Sequence, residues 1–97
     1  VTIAHSKTRN LNKLLSQSDL VVAAVGIPKF ISANQLKSDS ILIDAGYHPN
    51  EKCGDVDLSG IESIVSAYTP VPGGVGPMTI NTLILNTVSS MEAKFNV

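Results

Sequence analysis

Two short apolar runs without polar alternation place the strongest constraint on how this chain can fold. DLVVAAVG at 19–26 and SILIDAG at 40–46 each contain consecutive apolar residues and then reach a glycine. Strands that are apolar on both faces are typical of a parallel sheet that is covered on both sides. A third buried strand is expected at about 63–67, and the β-branched run at 1–5 predicts a further strand.

Residues that typically begin helices lie between and after these predicted strands. Thr8 or Asn10 can cap a first helix, which is predicted to end near residue 17. Ser32 can cap a short helix in the loop after the first apolar run, and Pro77 suits the first turn of a long C-terminal helix. This alternation predicts an α/β domain with a parallel sheet and helices on both of its faces.

Composition excludes several function classes. The 97 residues are enough for one small domain or for part of a larger one. The formal net charge of −1 argues against a nucleic-acid footprint or an anionic membrane surface as the partner, and LVVAAV at 20–25 is too short to span a bilayer. The lone Cys53 excludes an internal disulfide. Because the chain opens inside a predicted strand, we expect it to be a piece of a longer protein.

The segment TPVPGGVGPMT at 69–79 holds three prolines and three glycines in eleven positions. Proline fixes φ, whereas glycine allows φ values that other residues avoid, so the sequence specifies one backbone path with little side chain on it. Such a path suits a flat ligand lying against the main chain, and an ordinary rigid connector is the alternative. We also predict a cis peptide bond between Val71 and Pro72.

Small and polar residues follow the predicted strands. His5–Thr8, Gly26, Asp44–Gly46 and the 69–79 loop each come where a strand ends. Ligands of parallel α/β sheets bind at the carboxyl ends of the strands, so this pattern favours a nucleotide cleft over unrelated turns.

These motifs together resemble a known enzyme family. HSKT (5–8), SDLVVAAVGIP (18–28), ILIDAG (41–46), GDVD (54–57) and the 69–79 segment occur in the order and spacing of the bifunctional methylenetetrahydrofolate dehydrogenase/methenyltetrahydrofolate cyclohydrolase family. The run PGGVGPMT is the specific one. Another Rossmann dehydrogenase would share the architecture but would not explain this run.

The resemblance implies a fold, an activity and a place within a larger enzyme. Residues 1–97 would be the C-terminal part of a Rossmann-like NAD(P)-binding domain, and an N-terminal catalytic domain would complete a folate cleft. The family enzyme oxidises 5,10-methylenetetrahydrofolate with NADP, or with NAD, and hydrolyses the methenyl product to 10-formyltetrahydrofolate. It is usually a homodimer, and cytoplasm is the default location.

The resemblance also implies roles for individual residues. Tyr47 stands where the family usually has an aliphatic residue, so only a main-chain contact would be kept there. The implied cofactor-binding residues are Ser6, Lys7, Thr8, Gly26, Tyr47 and Thr79, and the implied folate-binding residues are Pro72, Gly73, Gly74, Val75 and Gly76.

The residues after the first predicted strand bear on the choice of cofactor. NAD-specific folds usually place a carboxylate here to bind the ribose 2′-hydroxyl. This chain has His5, Ser6, Lys7, Thr8 and Arg9 instead, and hydroxyls with cations suit a 2′-phosphate. The sequence therefore predicts NADP over NAD, with a solvated polar turn as the alternative.

By the same resemblance, the catalytic machinery of the family lies in sequence upstream of Val1. This applies to the catalytic lysine, its partner tyrosine, the acidic residue that binds the pterin, and the first Rossmann strand with its Gly-Arg-Ser phosphate loop. We therefore assign no catalytic residue in this chain and expect an incomplete sheet of poor stability when isolated. A non-catalytic remnant, or an NADP-binding module without turnover, is the alternative reading.

The remaining polar residues have mostly structural interpretations. His5 and His48 have no partner at ligand spacing, so a metal site is not expected. Asp44 could reach the cleft or bind a neighbouring backbone amide. GDVD is interpreted as a turn in which Asp57 caps the residues from Leu58 onward, and Asp55 is given no role.

Overall fold

The computed structural model describes residues 1–95 and contains a small parallel sheet followed by a long helix. Strands β1, β3 and β5 form a three-stranded parallel sheet in that spatial order, and β2 pairs with β4 in a separate parallel pair. Two single-turn 3₁₀ helices lie between the strands. The elements are α1 (Leu11–Gln17), β1 (Leu20–Ala23), β2 (Ile31–Ser32), a 3₁₀ helix (Ala33–Gln35), β3 (Ile41–Asp44), β4 (Val56–Asp57), a second 3₁₀ helix (Ile61–Ser63), β5 (Ala67–Tyr68) and α2 (Val75–Phe95).

The hydrophobic core lies on one side of the three-stranded sheet. Val21 of β1 is in register with Leu42 of β3, and both are buried there. Leu42 has no exposed surface, and burying such a side chain contributes about 2 kcal/mol. The buried apolar residues are Leu15, Val21, Ala23, Ile31, Ala33, Leu36, Leu42, Val56, Ile61 and Val65.

The opposite face of the sheet is open within residues 1–95. Leu20 and Val22 of β1 are 54% and 59% exposed, and Ile41, the register partner of Leu20, is exposed as well. The apolar run at 20–25 was predicted to be covered on both faces. Its strand instead alternates between exposed and buried residues, because the described helices and loops cover only the core side.

The predicted strand at 1–5 is wrong. These residues are irregular and exposed, and they lead into a turn in which the N–H of Thr8 donates to the carbonyl of His5 at 2.9 Å. A strand needs a neighbour to satisfy its backbone groups, and no described residue pairs with this segment. The helix after it is confirmed, although Asn10 precedes it in a left-handed conformation (φ 57°) without a side-chain cap bond.

The third strand is displaced toward the C terminus from its predicted position. Ser63 belongs to the second 3₁₀ helix, and β5 pairs with β3 only at Ala67 and Tyr68. Ile61 and Val65 are buried in the core although they lie before β5, in and after a 3₁₀ turn. The apolar residues of this stretch therefore do not all belong to a strand.

Helix α2 confirms the predicted long C-terminal helix and places Pro77 in its first turn, two residues after the helix begins. Its 21 residues would extend for about 31 Å, yet none of them is buried within this chain. Met78, Leu83, Ile84, Val88 and Met91 are among its exposed apolar side chains. None of the helices among the described residues meets the length and hydropathy needed to cross a membrane.

Candidate functional site

The candidate site lies at the carboxyl edge of the three-stranded sheet. β1 leads into Gly26, β3 leads into Gly46, and β5 leads into the 69–79 loop. Since parallel strands all end at the same edge, the sequence-predicted binding residues that follow these three strands are brought to one side of the molecule.

Asp44, the last residue of β3, is a buried hub of backbone hydrogen bonds. Its Oδ1 accepts from the N–H of Gly46 at 2.9 Å and from that of Asp55 at 3.1 Å, and its Oδ2 accepts from the N–H of Val56 at 3.0 Å. Its own N–H donates to Oγ1 of Thr69 at 2.9 Å, which ties β3 to the start of the 69–79 loop. Of its two predicted roles, the structural one is confirmed.

Asp55 is a second buried carboxylate, and no role was predicted for it. Its Oδ2 accepts from the backbone N–H groups of Val25 and Gly26 at 2.7 and 3.0 Å, and its Oδ1 lies 2.7 Å from Nε2 of His48. Its side chain has no exposed surface. The only sequence signal was its place beside Val56, a β-branched residue that could have indicated a buried strand.

The charge of Asp55 is stabilised by these contacts. Burial raises the pKa of its carboxyl, but the hydrogen bonds from His48, Gly26 and Val25, with the charge interaction with His48, outweigh burial and hold the pKa below its ordinary value. Because both of its carboxylate oxygens have hydrogen-bond partners, Asp55 has a structural role here and is not a free acid or base.

Gly46 and Gly54 make room for these two carboxylates. A Cβ at Gly46 would collide with the side chain of Asp55, and a Cβ at Gly54 would collide with that of Asp44. His48 reaches Asp55 from a hairpin that is closed by the antiparallel bridge between His48 and Cys53. DAG and GDVD therefore form one interlocked unit.

The 69–79 segment is a loop only as far as Gly74, because α2 begins at Val75. The Val71–Pro72 bond is cis, as predicted, and Gly73 adopts a left-handed φ of 94°. A Cβ at Gly74 would collide with the carbonyl oxygen of Pro70, whereas one at Gly76 would meet no atom within 4 Å. Gly74 is therefore needed for the fold of the loop, while Gly76 faces open space.

The comparisons with known proteins identify the family. The family model described as "Tetrahydrofolate dehydrogenase/cyclohydrolase, NAD(P)-binding domain" matches residues 1–95. The chain belongs to this family. It is 57% identical over 95 residues to the bifunctional protein FolD of Alcanivorax borkumensis, and the match covers 98% of this chain and 34% of that relative. The FolD protein of Psychrobacter arcticus is 55% identical over 94 residues, which are 95% of this chain and 32% of the relative.

Solved FolD structures have the same fold. The Campylobacter jejuni enzyme superimposes with a TM-score of 0.88 at 38% identity, over 96% of this chain and 34% of that one. The Trypanosoma brucei enzyme, described as complexed with NADP cofactor and inhibitor, superimposes with a TM-score of 0.87 at 30% identity, over 99% and 36%. The predicted Rossmann-like fold is confirmed, and the chain spans about a third of the length of the FolD relatives it matches.

The remaining family-implied residues are less tightly organised than the two aspartates. Ser6, Lys7 and Thr8 lie in the turn after residue 5, where the N–H of His5 donates to Oγ1 of Thr8 at 2.8 Å and that of Lys7 donates to Nδ1 of His5 at 3.0 Å. Among residues 1–95, no hydrogen bond joins this turn to Gly26 or to the 69–79 loop.

Two further implied residues present their side chains at the surface. Tyr47 is exposed, and the hydroxyl of Thr79 donates to the carbonyl of Val75 one turn earlier in α2 at 3.0 Å. In the described part of the chain, no group of three His, Cys, Asp or Glu side chains is placed to hold a metal ion.

The backbone around Gly26 fits the approach of a nucleotide. Gly26 adopts a left-handed φ of 75°, and a Cβ there would meet no atom within 4 Å. Three residues after β1, the chain therefore has a left-handed turn whose backbone carries no side chain.

Proposed function

We propose that residues 1–97 are the C-terminal part of the cofactor domain of a folate enzyme. The enzyme oxidises 5,10-methylenetetrahydrofolate with NADP and hydrolyses 5,10-methenyltetrahydrofolate to 10-formyltetrahydrofolate. The observation that supports this most is the family match over residues 1–95, together with more than half identity to bifunctional FolD proteins.

The cofactor would lie along the carboxyl edge of the sheet. NADP, when bound, supplies the hydride acceptor for the oxidation. Gly26 would let the ribose approach the main chain of the β1 exit, and Tyr47 would contribute a backbone contact. Thr79, at the start of α2, would lie near the nicotinamide carboxamide, where its hydroxyl, now bonded to Val75, could turn toward the ligand.

The first turn would select NADP. It offers the hydroxyls of Ser6 and Thr8 and the ammonium of Lys7, with no carboxylate to bind a ribose 2′-hydroxyl or to repel a phosphate. Binding of NADP by the trypanosomal relative is consistent with this choice, and NAD remains the second option.

The folate would contact the loop from Pro72 to Gly76. Pro72, Gly73 and Gly74 supply a rigid backbone path, and the open space at Gly76 would leave room for a flat ring. We assign no catalytic residue here. An N-terminal domain would supply the catalytic groups and the rest of the folate cleft, and we propose a homodimer in the cytoplasm.

The test is an assay of the complete natural polypeptide that contains these residues. Its denatured intact mass is measured first, because a mass about three times the 10.2 kDa of this chain is expected for a two-domain enzyme. Methylenetetrahydrofolate-dependent formation of NADPH is then measured. Turnover supports the proposal. A polypeptide near 10.2 kDa that binds NADP without turnover supports the non-catalytic module instead.

A further inference from the structure

We propose that Asp55 is a positioning residue for the cofactor site, with His48 as its support. The proposal rests on the proposed NADP-binding function and adds to it a residue that makes no contact with the cofactor itself. Asp55 would act through the Val25–Gly26 backbone, which it holds in the conformation that exposes Gly26.

The first support is the convergence of two successive N–H groups on one oxygen. The amides of Val25 and Gly26 both donate to Oδ2 of Asp55, at 2.7 and 3.0 Å. Two donors that share one acceptor fix the orientation of both peptide planes. These two planes flank Val25 and so fix its φ and ψ, which sets the direction in which the chain enters Gly26 with its left-handed φ of 75°.

The second support is that little else holds the turn. Residues 24–26 are exposed, and the side chain of Val25 is 44% exposed, so packing contributes little to their position. The geometry of the β1 exit depends on the carboxylate of Asp55, which comes from a segment 29 residues further along the chain.

The third support is that the same segment holds the far end of the loop. The carbonyl of Gly54 accepts from the N–H of Lys29, and the carbonyl of Asp55 accepts from the N–H of Ile31, both at 3.1 Å. The loop between β1 and β2 is therefore held at both ends by residues 54 and 55. Residues 54 and 55 thus accept four backbone hydrogen bonds from residues 25–31.

His48 completes the arrangement from the solvent side. Its Nε2 lies 2.7 Å from Oδ1 of Asp55, and its side chain is 16% exposed, so the Oδ1 end of this network is in contact with solvent through the imidazole ring. By occupying Oδ1, His48 leaves Oδ2 to the two backbone amides.

The test compares Asp55→Asn with Asp57→Asn in the complete natural polypeptide. Asparagine matches aspartate in size but has one carboxamide oxygen, so it cannot accept from the two amides and from His48 together. Asp57 lies two residues away and accepts only from the N–H of Ser59 among the described residues. We expect Asp55→Asn to raise the Kd for NADP by about tenfold, with kcat at saturating NADP nearly unchanged, because a misplaced β1 exit weakens binding before it affects chemistry. Asp57→Asn should stay within about twofold of wild type.

A second readout does not depend on the cofactor. Hydrogen exchange of the Gly26 amide should become about tenfold faster in Asp55→Asn, because its acceptor is weakened. If Asp55→Asn is not recovered folded, His48→Gln, which alters the same network from its surface end, is measured in its place, with an expected rise in Kd of about threefold.

The outcomes separate the two proposals. A wild-type protein that binds no NADP overturns the proposed function, and the positioning role with it. Wild-type binding with an unchanged Kd in a folded Asp55→Asn or His48→Gln protein overturns only the positioning role. A lower melting temperature with an unchanged Kd assigns Asp55 to the stability of the fold alone.

Discussion

Oδ1 of Asp44 accepts a hydrogen bond from the backbone N–H of Asp55 at 3.1 Å, although both residues are acidic and both are shielded from solvent. The side chain of Asp44 faces the backbone of Asp55, and the carboxylate of Asp55 turns away toward Val25, Gly26 and His48. Backbone N–H groups and an imidazole, rather than lysine or arginine, therefore satisfy the two buried carboxylates.

Asp44→Asn should destabilise the fold. The amide group of asparagine would face a backbone N–H of Gly46, Asp55 or Val56, and leaving a buried donor unpaired costs about 2 kcal/mol. Urea unfolding measures the loss. Asp39→Asn is the matched control, because Asp39 is exposed at φ 62°, a conformation that asparagine tolerates, and it should change stability by less than about 0.5 kcal/mol. Equal losses in both variants would contradict the role of Asp44.

Asp55 should make stability depend on acid pH. Its folded-state pKa lies below the ordinary value of 3.8, so its contribution to the free energy of unfolding is present above that pH. The contribution is lost as pH falls below 3.8 through the folded-state pKa. The difference in urea midpoint between wild type and Asp55→Asn should therefore shrink between about pH 5 and about pH 2. A difference that stays constant over this range would show that the charge of Asp55 is not what stabilises the fold.

Gly46→Ala and Gly54→Ala should each cost about 1–3 kcal/mol, because the added methyl group collides with a buried carboxylate that cannot move without losing its hydrogen bonds. Gly76→Ala is the control: apart from its chain neighbours and the backbone of α2, no atom lies within 4 Å of the new methyl group, so no buried carboxylate is displaced. Because the ring of Pro77 disfavours a helical conformation for a preceding residue that has a Cβ, we expect a small loss rather than a gain. Thermal unfolding of the three variants gives the comparison, and a loss for Gly76→Ala as large as for the other two would refute it.

Gly74→Val should abolish folate turnover with little loss of NADP affinity. The side chain would collide with the carbonyl of Pro70 and press on Thr69, and so displace the loop proposed to line the folate side. Thr87→Val, on the exposed surface of α2, serves as the control and should retain full activity. Equal loss of turnover and of NADP affinity in Gly74→Val would show that the loop has only a structural role.

Lys7→Ala should lower the preference for NADP over NAD. The substitution removes the ammonium group that is proposed to donate a charged hydrogen bond to the 2′-phosphate. Loss of such a bond should raise the KM for NADP about tenfold. The KM for NAD, which has no 2′-phosphate, should not change. Lys13, exposed on α1, gives the control Lys13→Ala. If both KM values rise equally, Lys7 does not read the 2′-phosphate.

The sequence correctly predicted the elements whose conformation is set by residues close to one another in the chain. The run at 41–44 forms a strand because its β-branched and apolar residues favour one, and Pro77 lies in the first turn of α2 because its fixed φ suits that position. The cis bond before Pro72 was likewise predicted from residue types within a few positions of each other.

Two of the misses, the strand at 1–5 and the role of Asp55, depend on residues far apart in the sequence. Val1, Thr2 and Ile3 have strand propensity, but a strand forms only where another strand pairs with it. Asp55 was missed because its partners at 25 and 26 are 30 and 29 positions away. Asp57 was predicted to cap the residues from Leu58 onward. It accepts from the N–H of Ser59 instead, and the second 3₁₀ helix begins after Gly60, which has a φ of 71°.

The interlocking of two glycines with two aspartates has a consequence for how this sequence can change over generations. A larger residue at Gly46 is compatible only with a smaller one at Asp55, and the same holds for Gly54 and Asp44. Each aspartate also accepts hydrogen bonds from backbone N–H groups. Replacing it by a smaller residue would make room for a larger neighbour but would lose these bonds. A double substitution would therefore not recover the stability that each single substitution loses. The effects of substitutions at these four positions on the free energy of unfolding should be strongly non-additive. We therefore expect DAG and GDVD to change together, or not at all, during evolution.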